Sequence, residues 1–300
     1  MSYKSIRRKS IQMNALDENN IQNTPKLIEI ICAVRNEASS LQTFVDSVRR
    51  LNVPDCILQM TFIEDGSTDS TVAVLKELAI SSDDISYYSL FNPYGQGLAL
   101  AYGILNSTAD AIITMDVDGS HPIVFAKKMI QLYLADYDII QGNRIMYDRN
   151  SFYRNISSKL YFNIFSLLTG VNLYRQNVHF RLMSSKAINR FRESPKTWYS
   201  ARLKNMSNSQ FRLYYIDFEA PERTIGKSKF NFKRLLLFAY YTFLTLTDKS
   251  IFLILNIVAL IFAILCFPVL PWIAAIIIIA EIINAWAYYK ANRIDYFKKI

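Results

Sequence analysis

Four times between residues 27 and 122, a short apolar run rich in β-branched side chains stops at a cluster of polar or acidic residues. Leu27 to Val34 runs into Arg35-Asn36-Glu37. Ile57 to Ile63 runs into Glu64-Asp65-Gly66-Ser67-Thr68-Asp69. Ile85 to Phe91 runs into Asn92-Pro93-Tyr94-Gly95-Gln96-Gly97, and Ala111 to Met115 into Asp116-Val117-Asp118-Gly119-Ser120-His121-Pro122. Runs of this length, bounded by turn residues, read as buried strands. Between them the sequence predicts helices: one capped near Ser39-Ser40 and running to about Leu51, one capped by Ser67, Thr68 or Asp69 and running to about Ala79, one from Leu98 to about Leu105, and one opened by Pro122 near its first position. A fifth strand, Asp138 to Gln141, ends at Gly142-Asn143-Arg144. This alternation predicts an α/β fold, a mostly parallel sheet with helices on both faces. Clusters that follow successive parallel strands share one rim of the sheet, where ligand crevices open. One such cluster is a loop; four on one rim make a site.

The fourth cluster carries the most chemistry. Strand alternation sends Asp116 and Asp118 to the same side. Two carboxylates at a strand end suit a hard divalent cation that keeps waters and takes its other ligands from phosphates; the plainer reading is an Asp-rich turn. Gly95-x-Gly97 is not a dinucleotide fingerprint, because Leu100 stands where the third glycine belongs and the motif follows the third strand. The formal net charge of +9 points to an anionic partner, a membrane surface, a nucleotide or a phosphate. No basic helix or recognition motif points to nucleic acid. Cys32, Cys56 and Cys266 are far apart and read as small buried hydrophobes, neither disulfides nor a zinc site.

Beyond residue 145 the pattern changes. From Ser151 to Thr169 an amphipathic helix is expected, with Arg154 and Lys159, and Arg149 just ahead of it, interleaved among Tyr153, Tyr161, Phe162 and Phe165. Gln176 to Leu182 is strand-like and contains His179 and Arg181; Phe211 to Phe218 reads as a later strand. Arg223 to Lys229 is a basic, glycine-containing loop that either closes over phosphates or simply flanks a membrane segment. Ile251 to Phe267 and Trp272 to Tyr289 are almost wholly apolar, joined through Pro268-Val269-Leu270-Pro271 and flanked on both sides by lysines and arginines. They predict a two-span membrane hairpin with both ends cytoplasmic, two buried core helices being the alternative. Glu281 interrupts the second run. Four regions result: a flexible tail over 1–25, a catalytic domain over 26–230, an interfacial amphipathic helix over 231–249, and the hairpin with its basic tail over 250–300.

These motifs, in this order, resemble a family-2 glycosyltransferase of GT-A fold, and more narrowly the polyprenyl-phosphate sugar synthases. The carrying residues are Ala33 to Glu37, Glu64 to Asp69, Gly95-Gln96-Gly97, Asp116 to Pro122, Gly142-Asn143-Arg144, His179-Phe180-Arg181 and Arg223 to Lys229. The resemblance implies that Val34, Asn36, Glu37, Glu64, Asp65, Gly95, Gln96, Asp116, Val117 and Asp118 bind a nucleoside diphosphate sugar, a UDP- or GDP-hexose. Glu37 and Asp65 would meet the nucleoside. Asp116 and Asp118 would hold the diphosphate with Mg2+ or Mn2+, Asp118 as the principal ligand. Arg144, Arg149, Arg154, Ser158, Arg223, Lys227 and Lys229 would bind the acceptor phosphate. Catalysis would rest on Asp116, Asp118, His179 and Arg181.

Three positions depart from the family: Glu64 replaces an Asp, Gln96 replaces a Lys, and no acid accompanies His179. A lipid phosphate, already anionic, can attack without a base, whereas a sugar hydroxyl needs one. The resemblance therefore implies an integral protein of the bacterial plasma membrane, its catalytic domain cytoplasmic, moving a hexose to polyprenyl phosphate. Transfer to a hydroxyl of a glycan or glycolipid, and a non-catalytic nucleotide-sugar-binding membrane protein, are the alternatives. Whether the chain forms a homo-oligomer is open.

Overall fold

The computed structural model describes residues 24–145, 179–193, 211–219, 249–266 and 271–293 of the chain. Among the described residues seven strands form one sheet in the order β3-β2-β1-β4-β6-β5-β7. β1 (Lys26–Val34), β2 (Cys56–Glu64), β3 (Ile85–Ser89) and β4 (Ala111–Thr114) are mutually parallel, each followed by a helix: α1 (Ala38–Arg49), α2 (Thr71–Ser81), α3 (Gln96–Asn106) and α4 (Ile123–Leu134). β5 (Ile139–Ile145) and β7 (Leu213–Glu219) pair in parallel. Between β4 and β5 lies β6 (Arg181–Ser184), antiparallel to both, and α5 (Ser185–Glu193) follows it.

The sheet is buried on both faces because its central strands are apolar on both sides. Ile28, Ile30, Cys32, Met60 and Phe62 pack towards α1, α2 and α4 through Leu41, Phe44, Leu75 and Met129. Ile31, Ile63 and Ile112 pack towards α3 and α5 through Leu100, Ile104, Ile188 and Phe191. The predicted α/β architecture, a mostly parallel sheet with helices on both faces, is thus the observed one.

Three local differences have physical causes. β5 runs four residues past the predicted end at Gln141, because β7 supplies partners as far as Ile145 opposite Glu219. Of the stretch Gln176 to Leu182 expected as a strand, the described residues begin at His179 and pair from Arg181, in β6 at Arg181–Ser184, where Thr114 and Gln141 flank Arg181 from either side. Pro122 stands just outside α4 as its N-cap, in extended conformation.

At the C-terminus, α6 (Lys249–Cys266) and α7 (Pro271–Arg293) pack against each other. Phe252, near the start of α6, stacks on Tyr288, near the end of α7, with ring centroids 3.9 Å apart, so the two run antiparallel. Asn256, the polar interruption of the first run, turns its Nδ2 back onto the Phe252 carbonyl at 2.7 Å. Glu281 Oε2 is buried without a hydrogen-bond partner among the described residues. Phe252, Ala263 and Ala287 are buried, whereas Leu253, Ile254, Val258, Phe262, Ile276, Ile282 and Trp286 are exposed. No helix among the described residues is long and apolar enough to cross a membrane. The N-terminal tail to residue 23, the helix expected over Ser151 to Thr169, the loop Arg223 to Lys229 and the interfacial stretch up to residue 248 lie outside the described residues.

Candidate active site

The carboxyl ends of β1, β2 and β4 and the loop after β3 converge, and side chains staple their loops together. Asn36, with a positive φ of 56°, donates its N–H to Ser67 Oγ at 3.0 Å, and its Oδ1 accepts the Thr68 N–H at 2.7 Å. Thr71 Oγ1 accepts the Glu37 N–H at 2.9 Å, and Asp69 Oδ1 accepts the Thr71 N–H at 3.0 Å. Glu64 is buried and its Oε1 accepts the Ser67 N–H. The β1 and β2 loops therefore form one hydrogen-bonded unit. The side chains of Val34 and Val117 are buried in the core, so these two positions can offer a ligand only their main chain.

Asp65 extends that unit to the β3–α3 loop. Its carboxylate accepts the N–H of Tyr94 at 2.6 Å and of Gly95 at 2.9 Å. Burial pushes its carboxyl above the ordinary range, against the opposing pull of those two N–H groups. Gly95 has a φ of +91°, a conformation that glycine tolerates and other residues rarely adopt, and a Cβ there would meet nothing within 4 Å. The backbone thus turns sharply beside open space. Gln96 then reaches across to the fourth loop, its Nε2 donating to Asp116 Oδ1 at 2.6 Å.

Asp116 and Asp118 differ in setting. Asp116 is partly buried, and desolvation raises its carboxyl above the ordinary value; Asp118 acts in the same sense, while His179 and the Gln96 bond oppose it. Asp118 is exposed and its Oδ1 accepts the Ser120 N–H at 2.9 Å. Among the described residues no three His, Cys, Asp or Glu side chains are arranged to hold a metal ion. The donor set present, two hard carboxylate oxygens one residue apart, fits a cation such as Mg2+ or Mn2+ that completes its shell with substrate phosphates and water.

The other half of the rim is built on β6, β5 and β7. Continuing the β4–β6 register two residues past Thr114 opposite Arg181 sets His179 level with Asp116. His179 is held neutral: burial pushes its pKa down to about 4, Arg181 and His121 act in the same sense, and Asp116 opposes them. Arg181 is buried, its Nε donating to Gln141 Oε1, while Gln141 Nε2 donates to the Phe180 carbonyl at 3.2 Å. Arg144 lies at the end of β5 opposite Phe218. Arg149, Arg154, Ser158, Arg223, Lys227 and Lys229 lie outside the described residues.

Two rim residues were not singled out from sequence. Asp217, exposed at the end of β7, accepts a 2.6 Å hydrogen bond from Asn143 Nδ2; the alternation of Leu213–Glu219 was its signal. His121 is buried, and its Nδ1 accepts the Asp116 N–H at 2.9 Å. Burial lowers its pKa to about 4, so the ring is neutral with its proton on Nε2, and the 3.8 Å approach of Nε2 to Asp116 Oδ2 is a dipolar contact, not an ion pair. Its signal was a histidine five residues after Asp116, inside a motif already marked.

Comparison with known proteins bears on the family and the fold. Residues 29–193, more than half of the chain, match the model of glycosyl transferase family 2. CsbB of Bacillus subtilis, which carries a glycosyltransferase name, is 29% identical over 222 residues, covering 70% of this chain and 63% of its own length. The bactoprenol glucosyl transferase of Shigella phage SfX is 24% identical, covering 68% of this chain and 67% of its own. The match thus spans about two thirds of the length of these relatives. Among solved structures, glucosyl-3-phosphoglycerate synthase of Mycobacterium tuberculosis, in complex with Mn2+, UDP-glucose and phosphoglyceric acid, superposes with a TM-score of 0.54 at 14% identity, covering 74% of this chain and 78% of that one. The mannosyltransferase PcManGT of Pyrobaculum calidifontis, in complex with GDP-mannose and Mn2+, gives a TM-score of 0.50 at 13% identity, covering 75% and 63%. These likenesses support the fold, and with the match over residues 29–193 they place the chain in glycosyl transferase family 2.

Proposed function

We propose that the protein is a membrane-anchored, inverting glycosyltransferase that moves a hexose from a UDP- or GDP-sugar to a polyprenyl phosphate at the cytoplasmic face. The observation that carries this reading is the hydrogen bonding of three loops to one another at one rim of the sheet. Asp65 fixes the backbone of Tyr94 and Gly95, and Gln96 of the same loop holds Asp116. A nucleoside would lie against Asn36, Glu37 and Asp65, and its diphosphate would reach Asp116 and Asp118. When bound there, Mg2+ or Mn2+ would supply Lewis-acid neutralisation of the departing diphosphate. Gln96 keeps the Asp116 carboxylate in one orientation, and the stapled loops fix the donor for in-line attack.

The acceptor side fits an anion that needs no activation. Arg144 and Arg181 lie on β5 and β6; of the further basic residues assigned by resemblance, Arg149 and Arg154 follow β5 in sequence and Arg223, Lys227 and Lys229 follow β7. A phosphate oxygen can attack the anomeric carbon without losing a proton to the protein, which suits a neutral His179 acting as a hydrogen-bonding group. The bactoprenol names of the relatives support the same acceptor. Anchoring rests on α6 and α7, whose apolar side chains point outward around the pair; an apolar bilayer satisfies them, and the basic flanks keep both ends cytoplasmic. A second reading, transfer to a sugar hydroxyl, is favoured by one observation, the exposed Asp217 carboxylate, which could serve as the base.

The test is direct. Membranes carrying the protein are incubated with Mn2+, polyprenyl phosphate and labelled sugar nucleotides in turn. Acid-labile label in the organic phase from one donor supports the reading and names the sugar. Label in a glycan, with none in lipid, moves the assignment to the hydroxyl acceptor. Nucleotide-sugar binding without turnover leaves a non-catalytic binding protein.

A further inference from the structure

His121 occupies a position that the donor-site reading does not use. Its ring lies parallel to that of Phe180, centroids 4.8 Å apart with 9° between the planes, and meets Phe218 edge-on at 5.9 Å. Phe180 and Phe218 are themselves edge-to-face at 5.4 Å. Phe180 directly precedes Arg181 on the entry to β6 and directly follows His179. Phe218 follows Asp217 on β7. The same imidazole that stacks on these two rings accepts the main-chain N–H of Asp116 through Nδ1. Gly142 makes the stack fit: a Cβ at this position would lie 2.8 Å from Phe180 Cδ1 and 3.0 Å from Phe218 Cε1.

We propose that His121 is a positioning residue, which sets the main chain of the Asp116–Asp118 pair and ties it, through Phe180 and Phe218, to the strands of the acceptor side. The inference rests on the reading of Asp116 and Asp118 as holders of the diphosphate and its cation. A main-chain N–H without an acceptor lets the Asp116 peptide rotate, and both carboxylates move with it. Groups that orient ligating carboxylates in this way commonly matter ten- to a hundredfold in metal affinity or activity.

Two substitutions separate the two contacts of the ring. His121→Phe keeps an aromatic ring between Phe180 and Phe218 and removes the acceptor. His121→Asn places Oδ1 where Nδ1 stood and removes the ring. The full-length protein in detergent is titrated calorimetrically with UDP, and separately with GDP, at graded Mn2+, and thermal unfolding is recorded in parallel. His121→Phe is expected to weaken Mn2+-dependent nucleotide binding about tenfold or more, with an unfolding temperature close to that of the unchanged chain, while His121→Asn keeps affinity within about threefold and unfolds at lower temperature. Unchanged affinity in His121→Phe overturns the inference, as does equal loss of affinity and stability in both variants. If the unchanged chain itself binds neither nucleotide with Mn2+, the donor-site reading fails first and the inference falls with it.

Discussion

The two halves of the rim hold their polar groups by opposite means. On the donor half, carboxylates at the ends of β2 and β4 sit in loops and are pinned by main-chain N–H groups and short polar side chains: Asp65 by Tyr94 and Gly95, Asp118 by Ser120, Glu64 by Ser67. On the acceptor half, Arg181 and Gln141 lie within the sheet, and His179 stands just ahead of β6. Arg181 is buried on Gln141, and His179 is neutral beside it. The donor loops satisfy their own hydrogen bonds: Glu64 and Asp65 are buried as internal ties, and Asp118 is left at the surface, where the proposed cation and phosphates would meet it. A guanidinium locked between strands is committed to its neighbours, and it acts on the site chiefly through its field and its shape.

The largest effect separating the halves is expected at the exposed acid. Asp118→Asn should lower transfer of labelled sugar to lipid by about a hundredfold or more while leaving thermal unfolding nearly unchanged, because it removes charge where charge develops in the reaction. Full activity in this variant would break the comparison on the donor side. Arg181→Ala should do the reverse first: truncating the buried side chain takes the Arg181 donor away from Gln141 Oε1 and costs about 2–4 kcal/mol of stability, read by denaturant unfolding. Gly142→Ala comes next. The added methyl has no room beside Phe180 and Phe218, and overpacking of this kind costs about 1–3 kcal/mol. A crystal structure of that variant should show the His121 ring displaced.

The smallest effect lies away from both halves, at Arg49 and Asp84, whose ion pair at 2.9 Å is partly exposed on both sides. The Arg49 guanidinium, with help from the Ser82 hydroxyl, holds the Asp84 carboxyl below the usual range. Its contribution is therefore present above the unfolded-state pKa near 4 and is lost as pH falls through the lower folded value, and for an exposed pair it is under about 1 kcal/mol. Asp84→Asn should cost that little at neutral pH and nothing in strong acid; a larger cost would mean that this corner of the domain, not the rim, is its weak point.

The donor half was legible because each of its parts follows the strand that positions it. Asp65 and Asp118 are read off the ends of apolar runs, and parallel alternation then brings them to one rim. The acceptor half was not, because its geometry depends on β6 entering the sheet between β4 and β5, a pairing that joins Thr114 to Arg181 across 67 residues of sequence. No local pattern reports such an insertion. The alternation of β7 and the motif after Asp116 marked Asp217 and His121 as positions, but their place in the site follows from β7 lying beside β5 and from Phe180 and Phe218 packing around the imidazole.

The inserted strand also orders events during synthesis. β1 to β4 can pair as soon as they leave the ribosome, but the neighbour that covers β4 is β6, which follows β5 in the chain. Until residue 184 is made, Ala111–Thr114, buried on every side in the finished fold, is an apolar sheet edge with unpaired main-chain groups. Such an edge invites pairing with other chains. A nascent or truncated polypeptide that stops before β6 therefore carries a sticky edge that the complete fold does not, and one four-residue strand, once paired, turns that edge into sheet interior.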